Sequence, residues 1–509
     1  MSTSRTWSVA LTGMEGHLVE VEADVTNHTP EFRIIGLPDK SLGEAAQRVR
    51  NAVVNAGLDL PRRKLTVNLS PASLPKHGSS FDLAIAVAAL AAGDEIPLPS
   101  IRQTVHLGEL GLDGRVRPVP GVLPAAYAAA QAGFDRVVVP EANAQEARLV
   151  PGIEVTAVAS LAEAAAAHGA EIEVPDVEPI RLPARVPTVE EQLDLADVVG
   201  QEEAVDAVIV AAAGGHHMML SGPPGAGKTM LARRLPGILP ALTDEESLDV
   251  AAVRSLNGEN VVALDRTPPF ESPHHSASAA SLIGGGSRAV RPGAIVRAHN
   301  GVLLLDEAPE FPRTVLDSLR QPLESGRIEV HRAGFTAQFP ARFQLVLAMN
   351  PCPCGNYGVR GGDCLCPPIA IRRYEGKLSG PLRDRIDIEM HVSRVTSART
   401  RSAADSPITT ALARERVQQA RDIAAERWAG TPWRRNAEVP GERLRGGSLR
   451  LPPAVRKPLD RALERGGLTL RGYDRTLRLA WTAADLAGRT SPGTDEIGRA
   501  LFLKRGLAA

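Results

Sequence analysis

Aromatic residues are scarce in this chain: Trp, Tyr and Phe number 4, 4 and 9, or 3% of 509 residues. So few rings leave little material for base-stacking platforms. Cores must instead be built from Ala, Val and Leu, and 43% hydrophobic residues are enough for a globular protein. Cysteine is rarer still, at 4, which rules out a disulfide scaffold. Long apolar runs are missing too. The longest, Leu83 to Gly93, is Ala-rich and too short to span a bilayer, and Met1-Ser-Thr-Ser-Arg-Thr6 has no signal-peptide apolar core. A cytoplasmic protein without a membrane partner is expected. No recognition-helix or finger motif offers itself to read base edges. Neither sign of charge dominates, with a net of −1. That balance hides an asymmetry, because residues 411–509 hold 20 Lys/Arg against 11 Asp/Glu. A basic segment of this kind suits an anionic partner or an Arg-rich solvated face.

What is present is organised around Gly222-Pro223-Pro224-Gly225-Ala226-Gly227-Lys228-Thr229. This is G-x-x-x-x-G-K-[ST], whose glycines let backbone N–H groups turn inward around phosphate oxygens. Lys228 would reach the β- and γ-phosphates, and the Thr229 hydroxyl would ligate Mg2+. Met218-Met-Leu220 reads as the end of a buried strand and Met230 to Leu235 as the first turns of a helix, whose N-terminus adds its positive dipole end. Downstream, Gly301-Val-Leu-Leu-Leu-Asp306-Glu307 is an apolar strand ending in two carboxylates. Asp306 would hold Mg2+ and Glu307 would polarise the attacking water, so ATP binding and hydrolysis are expected.

Further along, Phe343 to Asn350 is another apolar stretch ending in a polar residue. An Asn there can sit beside the γ-phosphate and hold the lytic water, or it can simply form a turn before Pro351. Cys352, Cys354, Cys364 and Cys366 follow as C-x-C-x9-C-x-C, all within fifteen residues. Four thiolates on a Gly-rich loop suit tetrahedral Zn2+; free thiols or a redox pair are the alternatives. In Leu378-Ser-Gly-Pro-Leu-Arg-Asp-Arg-Ile-Asp-Ile388, Arg383 or Arg385 could reach a neighbouring subunit's γ-phosphate, or either could be a surface ion-pair residue. His274-His275 lies between the two phosphate motifs. Adjacent histidines have no obvious ligand geometry, and an exposed loop is expected there.

The length suggests about three domains. Residues 1–170 mix α and β patterns, with a capping box at Ser41-Leu-Gly-Glu44, a strand at 64–70, a buried helix at 80–92 and a strand at 136–140. Two segments here resemble the proteolytic domain of Lon: Pro75-Lys-His-Gly-Ser-Ser80 matches the nucleophile loop, and Gly114 to Pro124 the segment carrying the catalytic lysine. Leu123 occupies the lysine's position. A serine needs a neighbouring base, so Ser80 is expected to cap a helix, in a Lon-like fold without protease chemistry. A similar non-proteolytic domain occurs in the bacterial recombination protein RadA, which suggests by analogy an accessory role in DNA transactions. Residues 171–190 read as a linker rich in Pro and charge, and 191–392 as the ATPase core with its four-cysteine loop. Val392 to Thr410 reads as a polar, Ser/Thr-rich linker, and residues 393–509 as a helical terminal domain.

Assembled, the chain resembles the YifB/ComM family of magnesium-chelatase-like AAA+ ATPases. The likeness rests on Met14 to Glu22, Val67 to Ala72, Pro273-His-His275, Ala298-His-Asn-Gly-Val302, Leu319 to Glu324, Asn350-Pro-Cys-Pro-Cys-Gly355 and Ser379 to Asp387. It implies an α/β architecture: a Lon-protease-like α+β N-terminal domain, an AAA+ P-loop core and a small helical lid. It further implies a hexameric ring acting on branched or single-stranded DNA without sequence preference, driving branch migration in recombination or natural transformation. Protein remodelling of the magnesium-chelatase kind is the alternative, although no D-x-S-x-S metal-adhesion motif is present. The resemblance also makes Asn350 sensor 1, Arg385 the arginine finger and Arg471 sensor 2, with Arg475 and Arg478 as other candidates for the last. Glu271 and Ala308 depart from the family pattern, in which Arg and Leu are usual.

Overall fold

The computed structural model describes residues 2–36, 44–181, 193–285, 290–332, 335–359, 362–395 and 407–505. Its first sheet is mixed and seven-stranded. It comprises β1 (Ser2–Thr12), β2 (Glu15–Thr26), β3 (Glu31–Ile35), β4 (Lys64–Ser70), β5 (Thr104–His106), β6 (Arg136–Pro140) and β7 (Glu154–Val158), in the order β3-β4-β2-β1-β5-β6-β7. Strands β1 and β2 form a long antiparallel hairpin, while β5, β6 and β7 run parallel. Strand β4 alternates half-buried and buried residues, the period-2 pattern of a strand with one covered face.

Helix α1 (Ala45–Asn55) and helix α2 (Asp82–Ala92) cover that face. Every residue of α2 is buried. Seven of its eleven positions carry nothing larger than Ala or Val, which lets it approach the sheet without rings to fill the gap. The capping box expected at Ser41-Leu-Gly-Glu44 lies, apart from Glu44, outside the described residues. Ser80 does not cap α2, contrary to the expectation. The residue before the helix is Phe81, with no side-chain cap. The loop is held instead by backbone pairing, Gly108 N–H to Ser80 O (3.0 Å) and Leu83 N–H to Gly108 O (3.1 Å). Lys76, fully buried in the same loop, donates to the carbonyls of Gly36 and Pro71.

Helix α3 (Val122–Gln131) packs against the second half of the chain. Gly121 N–H donates to Ser255 O (3.0 Å) and Leu123 N–H to Ser255 Oγ (3.3 Å). Leu123 is therefore a fully buried contact beside the second half of the chain. Burial lifts the carboxyl of nearby Glu146 to about 7, against the opposing hydrogen bonds of Ser255 and Asn143. The turn between β1 and β2 adds a second contact, in which Gly13 bridges to Gln338.

The second sheet is five-stranded and wholly parallel. Helix α4 (Glu202–Gly214) leads into β8 (Met218–Ser221), which is followed by α5 (Lys228–Ile238), α6 (Asp244–Leu256), β9 (Phe270–Glu271) and β10 (Val302–Leu305). An antiparallel hairpin of β11 (Arg327–Arg332) and β12 (Phe335–Pro340) precedes β13 (Gln344–Met349) and β14 (Ile388–His391). The order is β9-β10-β13-β8-β14. Strands β10 and β13 are buried along their whole length, the signature of a parallel sheet covered on both faces.

The chain ends in helices α7 (Thr410–Arg427), α8 (Pro453–Glu464), α9 (Leu470–Leu486) and α10 (Thr494–Arg505), which share one apolar core with α4 and α5. The linker expected from Val392 does not begin there. Val392 is buried and its N–H bonds to Ser221 O (2.7 Å), because the chain continues along β8 past the end of β14. A polar knot sits inside the helices. Asp485, almost fully buried, pairs with Arg427 and accepts from Asn436 Nδ2 (2.7 Å), whose Oδ1 receives Trp428 Nε1 (3.0 Å). The Arg427 guanidinium also lies 4.5 Å from the Trp481 ring centroid.

Removing the carboxylate of Asp485 leaves Arg427 buried without its counter-charge, a loss of about 3–5 kcal/mol. Hydrogen exchange on Asp485→Ala should show amide protection in α7 and α9 falling by two orders of magnitude or more, with the first sheet unaffected. Unchanged protection in α9 would contradict the importance of the knot.

Candidate functional site

Parallel strands bring their C-terminal ends to one edge, and here three chemical segments leave that edge side by side. Ser221 pairs with Met349 and Leu305 with Leu347, so Gly222, Asp306 and Asn350 begin their loops as neighbours. The loop 222–227 turns between β8 and α5 through left-handed glycines, Gly225 (φ 73°) and Gly227 (φ 90°). Gly222 is required for another reason. A Cβ there would fall 2.1 Å from Val392 O, the same backbone that extends alongside β8.

Lys228 Nζ donates to Gly222 O (2.7 Å), Pro223 O (3.0 Å) and Asn350 Oδ1 (3.0 Å). Burial draws its pKa below the ordinary lysine value, against the opposing pull of Asp306 and Glu307. Thr229 Oγ1 donates to Asp306 Oδ2 (2.7 Å), and Asp306 Oδ1 accepts the Glu307 N–H (2.9 Å). A hydroxyl and a carboxylate at that spacing fit a hard cation with oxygen ligands, such as Mg2+. Glu307 sits in left-handed backbone (φ 52°), which turns its carboxylate away from the strand direction. All the residues expected from the two phosphate motifs, and Asn350, thus meet in one place.

Residues that sequence reasoning passed over complete the bed. Gln201 Nε2 donates to Ala226 O (2.6 Å) and Ser393 O (3.2 Å), and Arg394 Nε to Pro224 O (3.3 Å). His274 and His275 are not merely loop residues. Their rings stack at 4.0 Å, and His275 Nδ1 lies 3.4 Å from Glu307 Oε2. Their sequence signals were their position between the phosphate motifs and the family likeness of Pro273-His-His275. Glu271 is likewise engaged, paired with Arg297 (2.9 Å).

Arg385 and Arg471 stand apart from this bed. Arg385 is nearly buried, with 9% of its side chain exposed, and it pairs with Glu324. Burial, with Arg320, Arg471 and Arg475 nearby, lowers its pKa. Arg383 instead pairs with Glu389 (3.1 Å). The structure separates the three arginines of α9. Arg475 is tied to buried Asp387 (2.5 Å) and Arg478 to Val439 O (2.7 Å), whereas Arg471 is 72% exposed and only loosely near Asp384 (3.9 Å). Burial alone would raise the Asp387 carboxyl, yet Arg475 and His216 hold it well below the usual range.

The four cysteine sulfurs all lie within 4.8 Å of one another. Cys352 is 3.3 Å from Cys354 and 3.8 Å from Cys364, and Cys354 is 3.7 Å from Cys364. Tetrahedral thiolates at a Zn–S distance of about 2.3 Å would sit about 3.8 Å apart, so the set fits such an ion.

The family model "Magnesium chelatase, subunit ChlI" matches residues 194–400, "Subunit ChlI of Mg-chelatase" matches 21–143, and its C-terminal model matches 408–504. Competence protein ComM of Haemophilus influenzae is 40% identical, over 96% of this chain and 94% of its own. The chain belongs to the YifB/ComM family of magnesium-chelatase-like AAA+ proteins. Within that family, YifB of Escherichia coli is 38% identical over 96% of this chain and 94% of its own. An uncharacterized protein of Mycobacterium tuberculosis is 50% identical over 99% of both chains. Membership extends along nearly the whole chain, through the first sheet, the phosphate edge and the terminal helices. No helix among the described residues is long and apolar enough to cross a membrane.

Lys228→Ala removes the one ammonium in the phosphate bed and should abolish binding of a fluorescent ATP analogue, with circular dichroism unchanged. Retained binding would displace Lys228 from its role.

Proposed function

We propose that the chain is a ring-forming AAA+ ATPase, a hexamer, that couples ATP hydrolysis to movement along DNA. Its parts are a non-proteolytic Lon-like domain over 1–170, a linker over 171–190, the ATPase core over 191–392 and a helical lid over 393–509. The observation that carries hydrolysis is the meeting of Lys228, Thr229, Asp306, Glu307 and Asn350 at one sheet edge. Glu307 polarises the attacking water and Asn350 helps hold it, while Lys228 exchanges its carbonyl partners for phosphate oxygens. Mg2+, held by Thr229 and Asp306, would neutralise phosphate charge. Arg385 and Arg471 share a separate edge, which suits residues acting on a neighbouring subunit's nucleotide, with Glu324 holding Arg385 until a phosphate replaces it. Zinc in the four-cysteine loop completes the cofactors, and elemental analysis of protein purified without added metal should find about one zinc per chain.

The DNA role, branch migration in recombination or natural transformation, rests on kinship with ComM rather than on an exposed basic patch. At least ten of the 20 Lys/Arg of residues 411–509 lie within 4 Å of a carboxylate of this same chain. Contact with DNA would then come from the assembled ring rather than from the lid's composition.

Arg385→Ala should bind ATP and fail to hydrolyse it. Mixing it with Lys228→Ala should restore part of the turnover, since some interfaces then join an intact phosphate loop to an intact arginine. No rescue at any ratio would remove the trans role.

Glu307→Gln should trap ATP and hold forked DNA with affinity that falls steeply with salt, through counterion release. Binding absent at low salt, or independent of salt, would favour protein remodelling of the magnesium-chelatase kind.

A further inference from the structure

The four-cysteine loop stands against the phosphate loop. Asn350, two residues before Cys352, receives the Lys228 ammonium at 3.0 Å. Cys352 is fully buried, and its Sγ accepts the Tyr357 N–H (3.3 Å) while its carbonyl accepts the Gly355 N–H (3.0 Å). That turn presents Gly355, in left-handed backbone (φ 80°), directly to the Pro224 ring. A Cβ on Gly355 would lie 2.4 Å from Pro224 Cδ and 2.6 Å from Cγ. Arg394 holds the same residue through Pro224 O (3.3 Å). The proline at the middle of the phosphate loop is thus fixed between the extension of β14 and the cysteine turn.

We propose that the four-sulfur centre, filled by zinc, braces the phosphate-binding loop, so that metal occupancy sets the affinity for nucleotide. The proposal rests on the zinc and nucleotide readings above. Without the ion, weak S–H···S contacts are left to hold the four sulfurs within 4.8 Å of one another, and the turn carrying Gly355 loses its anchor. Pro224 then gains freedom that nucleotide binding must remove, which weakens binding. The coupling is reciprocal: whatever factor zinc contributes to nucleotide affinity, nucleotide contributes to zinc affinity.

The test measures binding of a fluorescent ATP analogue in fixed Mg2+ to four proteins. These are the zinc-loaded chain, the same chain stripped by chelator and returned to Mg2+ buffer, Cys364→Ser, and Gly355→Ala. Stripped protein and Cys364→Ser should bind about tenfold more weakly, as expected for a coupling of ordinary size. Gly355→Ala should keep its zinc and still lose affinity, because the added methyl pushes Pro224 while the sulfurs are untouched. That variant separates the brace from any general loosening in Cys364→Ser. In the reciprocal arm, ADP should slow zinc transfer to a chromogenic chelator in the wild type but not in Lys228→Ala. Equal nucleotide affinity in loaded, stripped and Gly355→Ala proteins overturns the brace. A chain purified without zinc overturns it together with the zinc reading, and a zinc-loaded chain that binds no nucleotide overturns it together with the nucleotide reading.

Discussion

Everything chemical in this protein depends on one constraint: neighbouring parallel strands release their following loops at a common edge. Strand β13 lies between β8 and β10, so the lysine of one loop, the carboxylates of the second and the asparagine of the third come within hydrogen-bond reach. The strands supply no chemistry themselves. They are buried apolar runs whose backbone hydrogen bonds hold the loop origins in register. A slip of one residue in β13 would turn its buried side chains to the opposite face and carry Asn350 away from Lys228.

The elements around that edge act as stops. Val392 closes over Gly222, Arg394 and Gly355 meet at Pro224, and Gln201 reaches under Ala226. A loop rich in glycine would otherwise sample many conformations, and its amides would be poorly organised to meet phosphate. The rigidity of the bed is therefore a property of three distant segments, with the cysteine turn among them.

Charge is handled by the same economy of partners. Arginines of the terminal helices neutralise Asp387, Asp485 and Asp206 across helix and sheet boundaries. The pairs with Asp387 and Asp485 fix how α7 and α9 sit, because a misplaced helix would strand a buried charge. They also show why a count of basic residues is a weak guide to a nucleic-acid surface. The arginine with the freest side chain on α9 is Arg471, and its neighbours Arg475 and Arg478 are structural anchors.

Much of this was legible in the chain because it is written locally. The phosphate loop, the two carboxylates after an apolar strand, the four close-set cysteines and the strands at 64–70 and 136–140 are short patterns whose physics lies within a few residues. The sequence by itself singled out the groups that the structure gathers at one sheet edge and in one four-sulfur cluster. It misjudged Ser80 and the segment after β14, and it placed the histidine pair in a loop without its neighbour Glu307, because the outcome there depends on what the rest of the fold brings near. Gly108 meets the loop before α2, Glu307 faces His275, and β8 extends along Val392. Only the tertiary structure decided that the cysteine turn leans on the phosphate loop and that Glu324 holds Arg385. These are contacts between segments distant in sequence, and neither partner's local pattern depends on the other.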